Sequence, residues 1–178
     1  TDDYDSGRIA TEHLIKNGCE KIAFLSISNN LSISNKRMNG YCDALKNHGL
    51  KIDNSYILQC GMDDKKNKEL ISKMMKRKNR PDGIFASVEK LALETYHVCH
   101  ELNINIPNDV KVIGFSNLGI ADLLNPSLTT ITQPAFEIGK EAVSLLFKVI
   151  DKKGSPISFD KKIISSFLKE RGSTKNKN

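Results

Sequence analysis

Apolar positions along the chain alternate between short continuous runs and longer stretches with a spacing of three and four residues. The runs are rich in β-branched and aromatic residues and are too short for helices, so they predict buried strands. Strands are predicted at residues 21–26, 55–59, 84–86, 110–115 and 128–131, with a further extended segment at 161–169. The spaced stretches predict amphipathic helices at residues 5–17, 34–48, 63–78, 88–102 and 135–151.

Strands that alternate with helices in this order build βαβ units with right-handed crossovers. The sequence therefore predicts an α/β fold with a doubly wound, mostly parallel sheet and helices on both faces. The polar tail R-G-S-T-K-N-K-N at residues 171–178 is predicted to be frayed.

Composition indicates a globular protein. The chain has 178 residues, of which 39% are hydrophobic, and a formal net charge of +6. The opening T-D-D-Y-D-S-G does not resemble a signal peptide, and no apolar run is long enough to cross a bilayer. The four cysteines, Cys19, Cys42, Cys60 and Cys99, lack C-x-x-C spacing and are predicted to be reduced core residues of a cytoplasmic protein.

Two clusters invite a functional interpretation and also have a simpler one. Residues 65–80 are strongly basic, but no aromatic residues interleave with the lysines as a stacking surface for nucleic acid requires, so we favour the solvated face of a helix. His97, Cys99 and His100 lie close together on a predicted helix. No further ligands accompany them and Cys99 falls in the apolar stripe, so no metal site is predicted.

Polar residues follow several predicted strands. In open α/β sheets, ligands bind beyond the carboxyl ends of the strands. Arg37 follows the polar loop after the first strand, and its guanidinium could fork onto hydroxyls or a carboxylate, or could simply be solvated or ion-paired. Ser116, Asn117 and Gln133 could bind a ligand or cap turns.

Several segments resemble the effector-binding domain of the LacI-type transcriptional repressor family. They are G-R-I-A-T-E-H-L-I-K-N-G at residues 7–18, S-N-K-R-M-N-G-Y at 34–41, R-P-D-G-I-F-A at 80–86, V-I-G-F-S-N at 112–117 and N-P-S-L-T-T-I-T-Q-P at 125–134. The resemblance covers nearly the whole chain in the family's order. It implies a periplasmic-binding-protein-like fold without a cofactor.

The resemblance also implies a division of the chain. Residues 1–130 would form the C-terminal lobe, 131–157 a hinge and helix of an otherwise missing N-terminal lobe, 158–171 a strand segment returning to the C-terminal lobe, and 172–178 a tail. The DNA-binding headpiece would be missing as well. The helix at 135–151 carries too many apolar residues for a lone surface helix, so we expect another chain or neighbouring molecule to cover it.

By resemblance, Arg37 grips sugar hydroxyls, with Ser87, Ser116, Asn117 and Gln133 as polar partners and Val88 as an apolar wall. The family usually has an acidic residue where this chain has Ser116, and Asn-Asp where it has Ser87-Val88. Arg37 would then lack its usual counter-charge. This suggests an anionic effector, such as a phosphosugar or a uronic acid. Family dimers place Ile120, Leu123 and Leu124 near an interface.

The leading prediction is the effector-sensing and dimerising domain of a LacI-type regulator, cytoplasmic and not an enzyme. A sugar or anionic sugar derivative would modulate the DNA affinity of the distant headpiece. The alternative is a secreted sugar-binding protein of a transport system, which shares the fold. An enzyme is the third choice, because no G-x-S-x-G, P-loop or G-x-G-x-x-G motif is present.

Overall fold

The short buried runs form the strands of a single sheet in the computed structural model, which describes residues 1–28, 31–117, 119–151 and 162–175. Its described strands are β1 Ile22–Ser26, β2 Ile57–Gln59, β3 Gly83–Ala86, β4 Lys111–Phe115, β5 Thr129–Thr132 and β6 Phe167–Lys169. Their order is β2-β1-β3-β4-β5-β6, with β1 to β5 parallel and β6 antiparallel at the edge. The predicted mostly parallel sheet is confirmed.

The described helices are α1 Asp3–Lys16, α2 Ser32–Asn47, α3 Asp64–Met75, α4 Glu89–Glu101 and α5 Ala135–Asp151, with short 3-10 turns at Asn54–Tyr56 and Gly119–Asp122. Helix α1 begins two residues earlier than predicted, because the carboxylate of Asp2 accepts a hydrogen bond from the backbone N–H of Asp5. None of the described helices has the length and apolar character that a membrane span requires.

Alternate residues of the strands face two separate apolar layers. Phe24, Phe85 and Ile113 pack with α1 and α2 on one face. Ala23 and Leu25 pack with α3 and α4 on the other. Because a strand presents successive side chains to opposite faces, these layers confirm a doubly wound arrangement.

Helices α1 and α2 cross at two glycines. A Cβ added at Gly7 would lie 2.1 Å from the carbonyl oxygen of Arg37, and one added at Gly40 would lie 2.1 Å from the carbonyl oxygen of Tyr4. Only glycine permits backbones to approach this closely. The crossing therefore determines where α2 carries Arg37.

The C-terminal segment contradicts the prediction of a frayed tail. Ser173 and Thr174 are fully buried. The Ser173 hydroxyl donates to the carbonyl of Val112 (2.6 Å) and accepts from the N–H of Thr129 (2.8 Å). The Thr174 hydroxyl lies 2.8 Å from both the Thr129 hydroxyl and Nε2 of His13. Polar residues are buried here because their hydrogen bonds are satisfied; residues 176–178 lie outside the described part.

Helix α5 differs from the other helices in its exposure. No residue from 135 to 150 is fully buried, and Phe136 is 80% exposed. The other exposed large apolar residues of α5 are Val143, Leu146, Phe147, Val149 and Ile150. The described residues leave most of this face uncovered, so the expected cover stays a prediction. The predicted boundary between residues 157 and 158 lies outside the described residues, as does the start of the extended segment at 161.

The cysteines lie free, without disulfides. Cys19, Cys60 and Cys99 are buried in the core and Cys42 is half-buried, so the predicted core placement is confirmed for three of the four. Burial raises the pKa of the Cys60 thiol to about 11, which leaves this thiol protonated and unreactive at neutral pH.

Candidate functional site

Arg37 lies in α2 and reaches the carboxyl end of the sheet. Its side chain is buried, with the residue only 5% exposed. Nε and Nη2 donate to Oδ1 of Asp3 at 2.9 and 2.6 Å, and Nη1 donates to the carbonyl oxygen of Ser87 at 2.6 Å. The guanidinium thus joins α1, α2 and the loop after β3. One N–H on each terminal nitrogen has no partner among the described residues.

An aromatic ring supports the same guanidinium. Cζ of Arg37 lies 3.4 Å from the ring centroid of Phe115, the last residue of β4, in a cation–π contact. Burial lowers the pKa of Arg37, while the hydrogen bond and charge of Asp3 raise it. Arginine stays protonated in proteins, so the site retains a fixed positive charge.

Asp3 corrects one expectation from the sequence. The absence of an acidic residue at position 116 suggested that Arg37 lacks a counter-charge. Asp3 supplies that charge from α1 through a buried ion pair of 2.6 Å. The premise of the anionic-effector hypothesis is therefore wrong. The acidic T-D-D opening was the available signal for this pair, although nothing local connects it to Arg37.

Ser116 also has a carboxylate beside it. The Ser116 hydroxyl donates to Oε2 of Glu89 at 2.5 Å, and its backbone N–H donates to the carbonyl of Ile131. Glu89 lies in the first turn of α4, where a carboxylate is stabilised by the helix dipole. Sequence reasoning did not assign a role to Glu89. The carboxylate missing from position 116 is thus replaced by one on a neighbouring element.

Asn117 and Gln133 connect the ends of β4 and β5. The side-chain oxygen of Asn117 accepts from the backbone N–H of Gln133 at 2.8 Å, which is the capping role considered from the sequence. The side-chain Nε2 of Gln133 donates to the hydroxyl of Thr1 at 3.2 Å. Two of the predicted site residues are therefore in direct contact.

Ser87 and Val88 precede α4. The Ser87 carbonyl accepts from Arg37, while its buried hydroxyl has no hydrogen-bond partner within the described residues. Val88 is half-buried and packs against the apolar layer of α3 and α4. The structure thus brings Ser87 to Arg37 through its backbone carbonyl and not through its hydroxyl.

The predicted interface residues follow β4. Ile120 and Leu123 are exposed, Leu123 by 81%, whereas Leu124 is half-buried against the apolar core. Exposed leucine and isoleucine side chains in one short segment are compatible with a protein contact.

The two histidines of the cluster, His97 and His100, are exposed at the surface. His97 lies 3.0 Å from Glu101 one helical turn away, and Cys99 is buried. Across the described ranges, no group of three or more His, Cys, Asp or Glu is arranged to hold a metal ion. Most basic side chains of residues 65–80 are exposed, as expected for the outer face of α3.

Comparison with known proteins decides the family. The family model for the periplasmic binding protein-like domain matches residues 11–174. The chain belongs to this family. This agrees with the parallel sheet and with the polar residues gathered at its carboxyl edge.

Its relatives are transcriptional regulators. The chain is 32% identical over 86% of its length to catabolite control protein A of Priestia megaterium, and 31% identical over 83% to the HTH-type transcriptional repressor PurR of Photobacterium profundum. It spans 47% and 44% of those proteins, about half their length. It is also similar to a sugar-binding LacI-family regulator from Escherichia coli solved with phosphate, with a TM-score of 0.84 and 28% identity, covering 97% of this chain and 61% of that one. The LacI-type resemblance is confirmed.

Proposed function

We propose that this chain is the effector-binding portion of a LacI-type transcriptional regulator and binds a small molecule around Arg37. The observation that carries the proposal is the buried guanidinium held between Asp3, the Ser87 carbonyl and the Phe115 ring. Its two remaining N–H groups are oriented by these contacts, and a preorganised donor loses little entropy on binding. Family membership supports placing the ligand at the carboxyl ends of the strands.

The ligand class that fits best is a neutral polyhydroxyl molecule such as a sugar. Asp3 balances the charge of Arg37, so an additional anion would gain little attraction there and would lie near a carboxylate. Sugar hydroxyls can accept from the two N–H groups of Arg37 that have no partner among the described residues, and can donate to the oxygens of Glu89. This replaces the anionic effector expected from the sequence at this site.

The same proposal includes partners outside the chain. The effector would bias two arrangements of the regulator and thereby its affinity for operator DNA, which a headpiece in a longer protein would contact. Two chains would associate through Ile120, Leu123 and Leu124 in a cytoplasmic homodimer. Measurement of molecular mass by sedimentation, with Leu123→Glu as the disrupting variant, tests this part.

Helix α5 would complete a second lobe. Its apolar face is exposed in this chain, and the curated relatives are about twice as long. We expect that face to be covered in the longer protein, because exposed apolar areas of this kind usually mark contacts.

The ligand proposal is tested by titrating neutral and acidic sugars into the chain and its Asp3→Asn variant by calorimetry. The wild type is expected to prefer a neutral sugar, whereas Asp3→Asn leaves Arg37 unbalanced and is expected to shift preference toward acidic sugars. Asp5→Asn is a matched control, because Asp5 lies in the same helix but pairs with the partly exposed Arg8. Binding of acidic sugars alone by the wild type, with an affinity that Asp3→Asn changes, would contradict the neutral class, and no binding of either class would contradict the sensing role.

A further inference from the structure

A cavity of about 420 Å³ opens at the edge of the sheet, between the turn Gly119–Asp122 and strands β5 and β6. It is distinct from the Arg37 centre, although the Ser116–Asn117 segment borders it. The side chains that give it chemical character belong to Asn117, Asp122, Thr132, Phe167, Lys169 and Arg171. Its volume is sufficient for a small organic molecule.

Arg171 is fixed in the wall of this cavity. Its side chain is only 9% exposed. Nη1 donates to the carbonyl of Leu128 at 2.7 Å and to the hydroxyl of Thr130 at 2.9 Å, and Nε donates to Asp122. Nη2 has no hydrogen-bond partner in the described part of the chain, so a donor pair of a positioned guanidinium remains available.

The charges of the cavity favour an anion. Lys169 adds a second cation, with Nζ 3.5 Å from Oδ2 of Asp122. Asp122 is the resident carboxylate, and its hydrogen bond from Arg171 holds its pKa below the usual range. Two cations against one carboxylate leave a positive excess inside a concave wall, where the field is less screened than on an open surface.

Neutral groups complete the lining. The hydroxyls of Thr130 and Thr132 lie 2.8 Å apart, and the amide nitrogen of Asn117 has no hydrogen-bond partner among the described residues, since Gln133 uses only the oxygen. The ring of Phe167 is half-exposed and supplies an apolar wall. Hydroxyl, amide and aromatic groups beside paired cations suit a polyhydroxyl molecule that carries one oxyanion group.

We propose that this cavity is a second ligand site, which binds a small phosphorylated or carboxylated polyol through Arg171 and Lys169. The ligand would bridge the tip of β4 and the returning strand β6, two segments far apart in the sequence. The site does not depend on the Arg37 centre, because the two use different cations.

The experiment is a titration of the ¹⁵N-labelled chain by NMR, with inorganic phosphate, glucose 6-phosphate, glucuronate and glucose as probes. Saturable shifts are expected at the amides of Asp122 and Lys169 with the anionic probes and not with glucose. Glucose 6-phosphate against glucuronate distinguishes a phosphate from a carboxylate preference. Lys169→Gln is expected to weaken binding by about three- to fivefold, as for one partly exposed charge contact. Asp122→Asn is expected to strengthen it, because the competing carboxylate is removed.

Two controls keep the result decisive. The guanidinium of Arg171 also holds the C-terminal segment against the sheet through the carbonyl of Leu128 and the hydroxyl of Thr130, so its replacement would confuse binding with folding, and Lys169 and Asp122 are tested instead. Lys162→Gln removes a lysine that pairs with Glu141 outside the cavity. The proposal would be overturned if Lys162→Gln weakened anion binding as much as Lys169→Gln does. It would also be overturned if Lys169→Gln or Asp122→Asn left anion binding unchanged. Asp3→Asn is expected to leave these shifts unchanged, which separates this site from the Arg37 centre.

Discussion

Helices α1 to α4 bury their apolar faces within the described chain, whereas helix α5, which has the same amphipathic pattern, leaves its apolar face exposed. The apolar stripes of α1 to α4 lie against the two faces of the sheet, with Leu14, Tyr41, Ile71 and Leu91 almost fully buried. Helix α5 has an apolar face of similar character, yet none of its residues from 135 to 150 is fully buried. Periodicity therefore predicts that a helix has a face to bury, but not that the same chain supplies the covering surface.

The glycines of the two regions make this difference measurable. Gly7 lies at the α1–α2 crossing, whereas a Cβ added at Gly139 in α5 would meet nothing within 4 Å. The same substitution at the two positions should therefore have effects of opposite sign.

Gly7→Ala is expected to have the largest effect. The added methyl would lie 2.1 Å from the Arg37 carbonyl, so α1 must move, at a cost of about 3 kcal/mol in the free energy of unfolding. Chemical denaturation followed by circular dichroism measures this loss. An unchanged midpoint would show that α1 and α2 do not cross as closely as described.

Glu94→Gln is expected to stabilise the packed region. Glu94 is 5% exposed, its Oε2 has no partner among the described residues, and Asn67 approaches Oε1 only at 3.4 Å. An amide removes the cost of burying the ionised carboxylate, for a gain of about 1 kcal/mol near pH 8.

The pH dependence of the free energy of unfolding tests whether the buried charge of Glu94 causes this difference. Burial raises the pKa of Glu94 in the folded chain, so its contribution to stability is present at low pH and is lost as pH rises through the folded value. Glu94→Gln should flatten this decline, while Glu69→Gln on the exposed side of α3 should not. Equal curves for wild type and Glu94→Gln would refute the argument.

His13 is expected to give a smaller pH effect of the opposite direction. Burial lowers its pKa from 6.5; among the nearby charges Glu170 opposes this shift while Lys16 and Lys175 add to it. The folded state therefore prefers the neutral ring, and its stability is full above about pH 6.5 and declines as pH falls toward the folded value. Thermal unfolding at several pH values should show this decline, and His13→Gln should reduce it. His97→Gln, which replaces a partly exposed histidine, is the control.

Gly139→Ala should have the smallest effect and a favourable sign. Alanine has a higher helix propensity than glycine by about 1 kcal/mol at an open helical position. The gain should appear as slower amide hydrogen exchange in α5, with little change in the unfolding midpoint of the packed region. A loss of α5 protection would indicate that Gly139 is closely approached by another surface.

The order of strands and helices was predictable because each buried run has the length and composition of its element. The burial of residues 173 and 174 was not predictable. Ser173 and Thr174 are polar and follow a charged segment, so only their hydrogen bonds to Val112, Thr129 and His13 explain their burial. Such partners are too distant in sequence for a local pattern to reveal.

Part of the candidate site was likewise predictable from the sequence, and part was not. Arg37 was found through resemblance to a family motif. Asp3 and Glu89 were missed because their bonds span 34 and 27 residues and depend on how α1 crosses α2 and how α4 begins beside β4. The sequence shows both carboxylates but does not reveal which side chains they pair with.

The insertion of Ser173 beside β4 also has a consequence for synthesis on the ribosome. The N–H and carbonyl of Val112 both bond to Ser173, a residue translated 61 positions later. The central strands can therefore emerge and pair early, but their last backbone bonds form only when the C-terminal residues leave the exit tunnel. Completion of the sheet thereby depends on residues that are translated well after its central strands.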